Sequence, residues 1–159
     1  MKIKLDMTAF SKLKAFLDEN KVSYEYKEHE EVRTSEEAAK ARGEDIKIGA
    51  KAMILKADEN FIMLVLSAAK KIDSRRVKEI LGVKSLRFAT PEEVNQLTGC
   101  VPGGVPPFAN IFNLGLLVDK TLPMNEFMAF NAGERTKSLK IKTQDYLLLL
   151  KPRIEEFSL

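Results

Sequence analysis

The 159-residue chain has no tryptophan, one histidine (His29) and one cysteine (Cys100). A single cysteine cannot close an internal disulfide, which fits a reducing compartment. A single histidine excludes metal centres built on several histidines, and no Asp or Glu cluster has metal-ligand spacing, so no metal is expected. A P-loop and a dinucleotide-binding glycine fingerprint are also missing, which argues against a nucleotide-driven reaction, and no cofactor is expected. No apolar run approaches the roughly 20 residues that span a bilayer. The start, Met1-Lys2-Ile3-Lys4-Leu5-Asp6, lacks the apolar stretch and cleavage site of a signal peptide. These absences point to a cytoplasmic protein with no membrane partner.

What is present is the composition of a folded domain, 45% hydrophobic and 31% charged. The length suits one domain over residues 1–159, with 152–159 expected as a loosely held tail. A formal charge of +3 permits contact with RNA phosphates without demanding it.

Apolar positions Phe10, Leu13, Phe16 and Leu17 predict a helix from Thr8 to near Asn20, and alternation predicts a strand over 22–26. Thr34-Ser35-Glu36-Glu37 has capping-box spacing before a short helix stopped at Gly43. Residues 52–57 and 61–67 read as a hairpin around Asp58-Glu59-Asn60. Asp73 caps a helix through Leu81, and 86–88 is a short strand. Thr90-Pro91-Glu92-Glu93 opens a helix through Leu97. Strands follow at 114–118, 126–130 and 139–141, and Thr143 is read as the cap of a closing helix that contains 146–150. Strands and helices interleave without a regular βαβ period, so an α+β domain with a mixed, curved sheet is expected.

The segment Thr98-Gly99-Cys100-Val101-Pro102-Gly103-Gly104-Val105-Pro106-Pro107-Phe108 holds three glycines and three prolines. Such a loop is bent and stiff at once. It reads either as an ordinary turn-rich connection or as a rigid cradle of backbone groups for a ligand.

Gly99-Cys100-Val101-Pro102-Gly103 is similar to the Gly-x-x-Pro-Gly substrate loop of the aminoacyl-tRNA editing domains related to the prolyl-tRNA synthetase insertion domain, the YbaK-like trans-editing deacylases. Gly104, Pro106 and Phe108 continue that pattern. The segment from His29 through Ala39 resembles the stretch before the family's first core helix. Gly49-Ala50-Lys51-Ala52-Met53-Ile54-Leu55 resembles its lysine-bearing strand, and Asn131-Ala132-Gly133-Glu134-Arg135 its late glycine turn. The resemblance spans about residues 22–150. It implies a mixed sheet partly closed into a barrel and flanked by helices, together with hydrolysis of the ester on a mischarged tRNA. The vicinal ribose hydroxyl would then assist the water.

Lys51, at the head of an apolar strand, is either an edge charge that discourages sheet pairing or, as the resemblance implies, the cation that holds the tRNA 3′ end. Gly99, Pro102 and Gly103 would supply backbone groups to the reacting ester, with Gly104 and Gly133 beside them. Tyr24 is open between strand packing and substrate contact, and His29 is expected near the cleft mouth. Ser138 stands where the cysteinyl-specific deacylases carry an aspartate, and Ala52-Met53 replaces their Thr-Leu, so cysteinyl specificity does not carry over. Cys100 and His29 offer a Cys–His pair, but the loop position is variable in the family and nothing marks the thiol as activated. Lys70, Lys71, Arg75, Arg76 and Lys78 form a basic cluster, either a solvated face or a contact to the tRNA backbone. The expected partners are aminoacyl-tRNA at its 3′ acceptor end and an aminoacyl-tRNA synthetase. The rival reading is a non-catalytic tRNA- or synthetase-binding module using the same cleft, and a third is a small-molecule ester or amide hydrolase.

Overall fold

Four of the five α-helices among the described residues start at a side-chain cap visible in the sequence. The computed structural model describes residues 8–159; the expected absence of a signal peptide concerns residues 1–6, outside the described residues. Thr8 Oγ1 accepts from Ser11 N at 3.1 Å and opens α1 (Ala9–Glu19). Thr34 caps α2 (Ser35–Arg42) through Glu37 N, and Asp73 caps α3 (Ser74–Leu81) through Arg76 N. Thr90 and Glu93 form a reciprocal capping box at α4 (Pro91–Thr98). Each such cap is worth about 1 kcal/mol. The closing helix α5 (Thr143–Leu150) departs from expectation. Thr143 is its first residue rather than its cap, because the preceding strand runs straight into the helix and Thr143 N already bonds Glu126 O. Thr143 Oγ1 is left buried without a partner among the described residues.

Eight strands make two sheets among the described residues. β1 (Glu25–Glu28), β7 (Lys137–Lys142) and β6 (Phe127–Asn131) pair antiparallel in the order β1-β7-β6. The second sheet runs β4-β2-β3-β5-β8, from β4 (Leu86–Phe88), β2 (Ala50–Ala57), β3 (Asn60–Ser67), β5 (Gly115–Asp119) and β8 (Arg153–Glu155). It is mixed: β4, β2 and β3 are antiparallel, whereas β3, β5 and β8 are parallel. One isolated bridge, Gly49 to Ala129, joins the sheets. The expected single α+β domain with a mixed sheet is observed, with the sheet divided in two and no closed barrel. No described helix is long and apolar enough to cross a membrane.

Several element ends lie one or two residues from the sequence reading, and two differences are larger. Val22 N bonds Leu17 O and finishes the turn after α1, so pairing begins at Glu25, opposite Lys140, rather than at residue 22. The expected loose tail is corrected more strongly. Residues 153–155 form β8, and Phe157 is fully buried. The Asp119 carboxylate accepts the N–H of Phe157 at 2.7 Å and of Ser158 at 3.0 Å. A lone aromatic among polar residues gave no periodic signal for this anchoring.

The core has two compartments separated by the five-stranded sheet. The larger centres on Phe108, whose ring meets those of Phe16, Phe130 and Tyr146 at centroid distances of 5.2 to 5.9 Å. The smaller lies under α3 and holds Leu55, Leu64, Leu66, Val77, Leu117 and Phe157. Strand alternation sorts β2 between them. Ala50, Ala52 and Ile54 face the larger compartment, and Met53 and Leu55 face the smaller. Lys51 therefore shares the α3 face, at the end where the apolar filling stops.

Candidate active site

A cavity of about 460 Å³ opens at that end of β2. Its walls come from residues 32–35 leading into α2, from Gly49 to Met53, from Ala68 after β3, and from Pro102, Gly103 and Val105 of the Gly–Pro loop. Asn131 and Arg135, flanking the turn between β6 and β7, complete it. Lys51, Arg42, Arg33 and Arg135 bring positive charge, and no carboxylate, histidine or cysteine lines the cavity among the described residues. Lys51 is half-buried, and that burial pushes its pKa below the ordinary lysine value; Glu36 opposes the shift and Lys71 adds to it. A partly desolvated ammonium facing a cavity attracts an anionic group more strongly than one in bulk water.

The loop meets the cavity through a four-residue turn. Gly104 N donates to Val101 O at 3.0 Å, with Pro102 second and Gly103 third at φ +87°. Proline followed by a left-handed glycine is the pattern of a type II turn. A Cβ on Gly103 would need that φ and would sit 3.3 Å from Arg135 Nε. The turn's carbonyls are all engaged. Pro102 O accepts from Arg135 Nε at 3.0 Å and Nη2 at 2.6 Å. Gly103 O accepts from Asn131 Nδ2 at 2.6 Å, and Gly104 O from Gly133 N at 2.8 Å. The exposed Gly103 N–H has no partner among the described residues.

Asn131 is in turn held by a buried cation. Arg42 Nη2 donates to Asn131 Oδ1 at 2.9 Å, and Arg42 Nε donates to Ser138 Oγ at 2.9 Å. His29 continues the chain, with Nε2 2.7 Å from Ser138 Oγ and Nδ1 2.8 Å from Glu30 O. A carbonyl can only accept, so Nδ1 carries a proton and donates it to Glu30 O, while Nε2 and the Ser138 hydroxyl share the second bond. The result is one hydrogen-bonded path, His29–Ser138–Arg42–Asn131–Gly103. Arg42 has no carboxylate in salt-bridge contact among the described residues. Burial pushes its pKa down to about 10, with Glu44 opposing.

The sequence-identified residues divide accordingly. Lys51, Pro102 and Gly103 meet in the cavity. His29 and Ser138 act on it from behind through Arg42. Gly99 is the left-handed C-cap of α4 at φ +74° and lines a different depression, and Gly133 packs against the start of α1. Gly104 is buried beneath the turn. Tyr24 donates to Asp18 at 3.0 Å, outside the cavity lining. Cys100 is buried, and burial pushes its thiol pKa up, the opposite of activation. The sequence reading gave no role to Arg42, nor to Asn131 and Arg135 beyond their place in the glycine turn that resembles the family's. Arg42 looks like a solvated cation in the last turn of α2, yet it lies three and four residues after the buried Ala39 and Ala38. That spacing places it on the inward face.

Residues 29–149 match the aminoacyl-tRNA editing domain family, and the chain belongs to it. Within the family it is 33% identical over 151 residues to the multifunctional Ser/Thr-tRNA deacylase ProXp-y of Escherichia coli K12, covering 92% of this chain and 90% of that one. It is 34% identical over 76 residues to a proline–tRNA ligase of Bacillus licheniformis, 48% of this chain and 13% of the ligase. A solved structure described as a putative trans-editing enzyme for prolyl tRNA synthetase superposes with a TM-score of 0.83 at 22% identity, covering 98% of this chain and 99% of that one, which speaks for the fold.

Proposed function

We propose that this chain hydrolyses the ester between a small, wrongly attached amino acid and its tRNA, with Lys51 and the Pro102–Gly103 turn as its working parts. The observation that carries this reading is a cationic cavity that holds a rigid turn and no general base. An aminoacyl ester is already activated, so positioning a water and stabilising the oxyanion are enough. Lys51 holds the terminal phosphate or ribose as a point charge. The Gly103 N–H is the donor offered to the carbonyl oxygen as it gains charge, a contribution worth about 3–4 kcal/mol for one such donor. Arg135, Asn131 and Arg42 keep the turn's carbonyls turned to the protein, so they do not repel that oxyanion.

The water's proton needs an acceptor, and the cavity supplies none among the described residues. The vicinal ribose hydroxyl of the substrate hydrogen-bonds the water and relays its proton as the ester C–O bond breaks. The products are a free amino acid and an intact tRNA. Selection follows from size, since one methylene is worth only about 1–3 kcal/mol in direct binding and a second sieve is useful for that reason. Seryl and threonyl esters are the first substrates to try, in view of the coextensive Ser/Thr-tRNA deacylase relative. Such an enzyme would work in the cytoplasm, alongside a synthetase that makes the error.

The test is a deacylation screen over seryl-, threonyl-, alanyl- and cysteinyl-tRNA. Hydrolysis of at least one ester, with the correctly charged larger amino acid spared, is the expected result. A terminal 2′- or 3′-deoxyribose should leave affinity similar and slow turnover sharply. Hydrolysis of none of the four esters would refute the reading.

A further inference from the structure

The cavity has one basic lip and one acidic lip. On the α3 side, Lys70, Lys71, Arg75 and Lys78 are exposed, and none is in an ion pair among the described residues. The nearby acids are committed elsewhere, Asp73 to the α3 cap and Glu79 to Arg76 at 3.6 Å. On the α2 side, Glu30, Glu31, Glu36 and Glu37 are all exposed. We infer that the α3 lip, Lys70-Lys71 followed by Arg75 and Lys78, is the docking surface for the phosphate backbone of the tRNA acceptor duplex. This rests on the deacylase reading and adds the direction from which the tRNA arrives.

Three geometric facts support it. Lys51 lies on the α3 face of β2, so the cation assigned to the 3′ end points to the same side as the cluster. Ala68 belongs to the cavity wall, and Lys70 follows it by two residues, which makes the cluster begin at the cavity mouth. Lys71 is near enough to Lys51 to help depress its pKa. Beyond it, Arg75 and Lys78 are three residues apart on α3 and project from one helix face. α3 ends beside the β2–β3 turn, where Asp58 accepts from Lys84 and Ser85, so the cations lead away from the cavity along the sheet.

The platform is also rigid. Ile72 bridges to Ser158, Leu159 N donates to Lys71 O, and Asp73 N donates to Phe157 O. The anchored C-terminal segment thus braces the basic lip. A duplex entering over the α2 lip would bring phosphates against Glu30, Glu36 and Glu37, with Glu31 already paired to Arg33 and Arg135, which is unfavourable.

The test uses the triple variant Lys70→Glu/Arg75→Glu/Lys78→Glu, which leaves Lys51 and Lys71 in place. It is compared with wild type on a mischarged tRNA, on an aminoacyl ester of the CCA trinucleotide, and in binding to uncharged tRNA at several salt concentrations. On tRNA, kcat/KM should fall at least about tenfold through KM, and the log–log salt slope should flatten by about 0.9 for each lost phosphate contact. On the trinucleotide ester, which carries no acceptor duplex to lie along α3, the rates should agree within about threefold. The triple glutamine variant should show the same pattern more weakly, which guards against misfolding of the charge reversal. Unchanged binding and unchanged kcat/KM on tRNA would overturn the inference. Wild-type inactivity on both esters would instead defeat the deacylase reading, and the uncharged-tRNA titration would still decide for or against the surface.

Discussion

The two ends of the Gly–Pro loop are made of the same residue types and serve different purposes. Residues 98–101 finish a helix: Thr98 is buried, Gly99 caps α4 and Cys100 fills the core. Residues 102–104 form the turn at the cavity, and every carbonyl there is tied to a residue between Asn131 and Arg135. The first end is held by local backbone bonds and packing. The second is held by Asn131, Gly133 and Arg135, with Arg42 of α2 behind Asn131. A left-handed glycine sits in each, so the same signature in the sequence marks a helix stop in one place and a turn at the cavity in the other.

Substitutions at the two glycines should separate these roles. Gly103→Ala should show the largest effect, lowering single-turnover deacylation by roughly 100-fold or more, the scale of losing one oxyanion donor. Its melting temperature should fall only by the few degrees that a strained turn costs. If Gly103→Ala deacylates like wild type, the turn is not part of the reaction.

Next in size is the tie behind the turn. Asn131→Ala and Arg42→Met should each reduce kcat about tenfold, because they loosen the Gly103 carbonyl. Their effects should be non-additive, with a coupling of about 1 kcal/mol in a double-mutant cycle. Strict additivity would show that Arg42 and Asn131 act separately.

At the structural end the effects should be small. Gly99→Ala should cost about 1 kcal/mol of stability, as left-handed alanine does, with kcat within about twofold of wild type. Cys100→Ser should behave alike, and an alkylating agent should leave the folded wild type active. A dead Cys100→Ser would force a thiol mechanism.

The smallest prediction concerns α4, which carries that end. Hydrogen bonds from Arg87 and then from Thr90 N hold the Glu93 carboxyl down to about 2. A depressed carboxyl stabilises the fold above its ordinary pKa, and that contribution fades as pH falls from about 4.5 toward 2. Melting of Glu93→Gln should therefore be less pH-dependent than wild type across this window; parallel curves would contradict the assignment.

The parts legible in the sequence were those built by local rules. The caps at Thr8, Thr34, Asp73 and Thr90, the hairpin at Asp58 and the stiffness of the loop all follow from neighbours in the chain. Lys51 stood out because a charge heads an apolar strand. The path from His29 to Gly103 was not legible, because its members are 109, 96, 89 and 28 residues apart in successive contacts. Nothing local distinguishes a buried Arg42 from a solvated one except its phase with Ala38 and Ala39. The anchored end at Phe157 was missed for a similar reason, since its partner is Asp119.

The central claim is that the Lys51 cavity performs the hydrolysis. It is tested most directly by single-turnover deacylation of seryl- or threonyl-tRNA with wild type and Lys51→Ala, alongside their thermal melts. The account predicts a loss of about 100-fold or more in a variant that melts at or above the wild-type temperature, because a desolvated cation has been removed. A folded Lys51→Ala protein that hydrolyses the ester at a near-normal rate would contradict it.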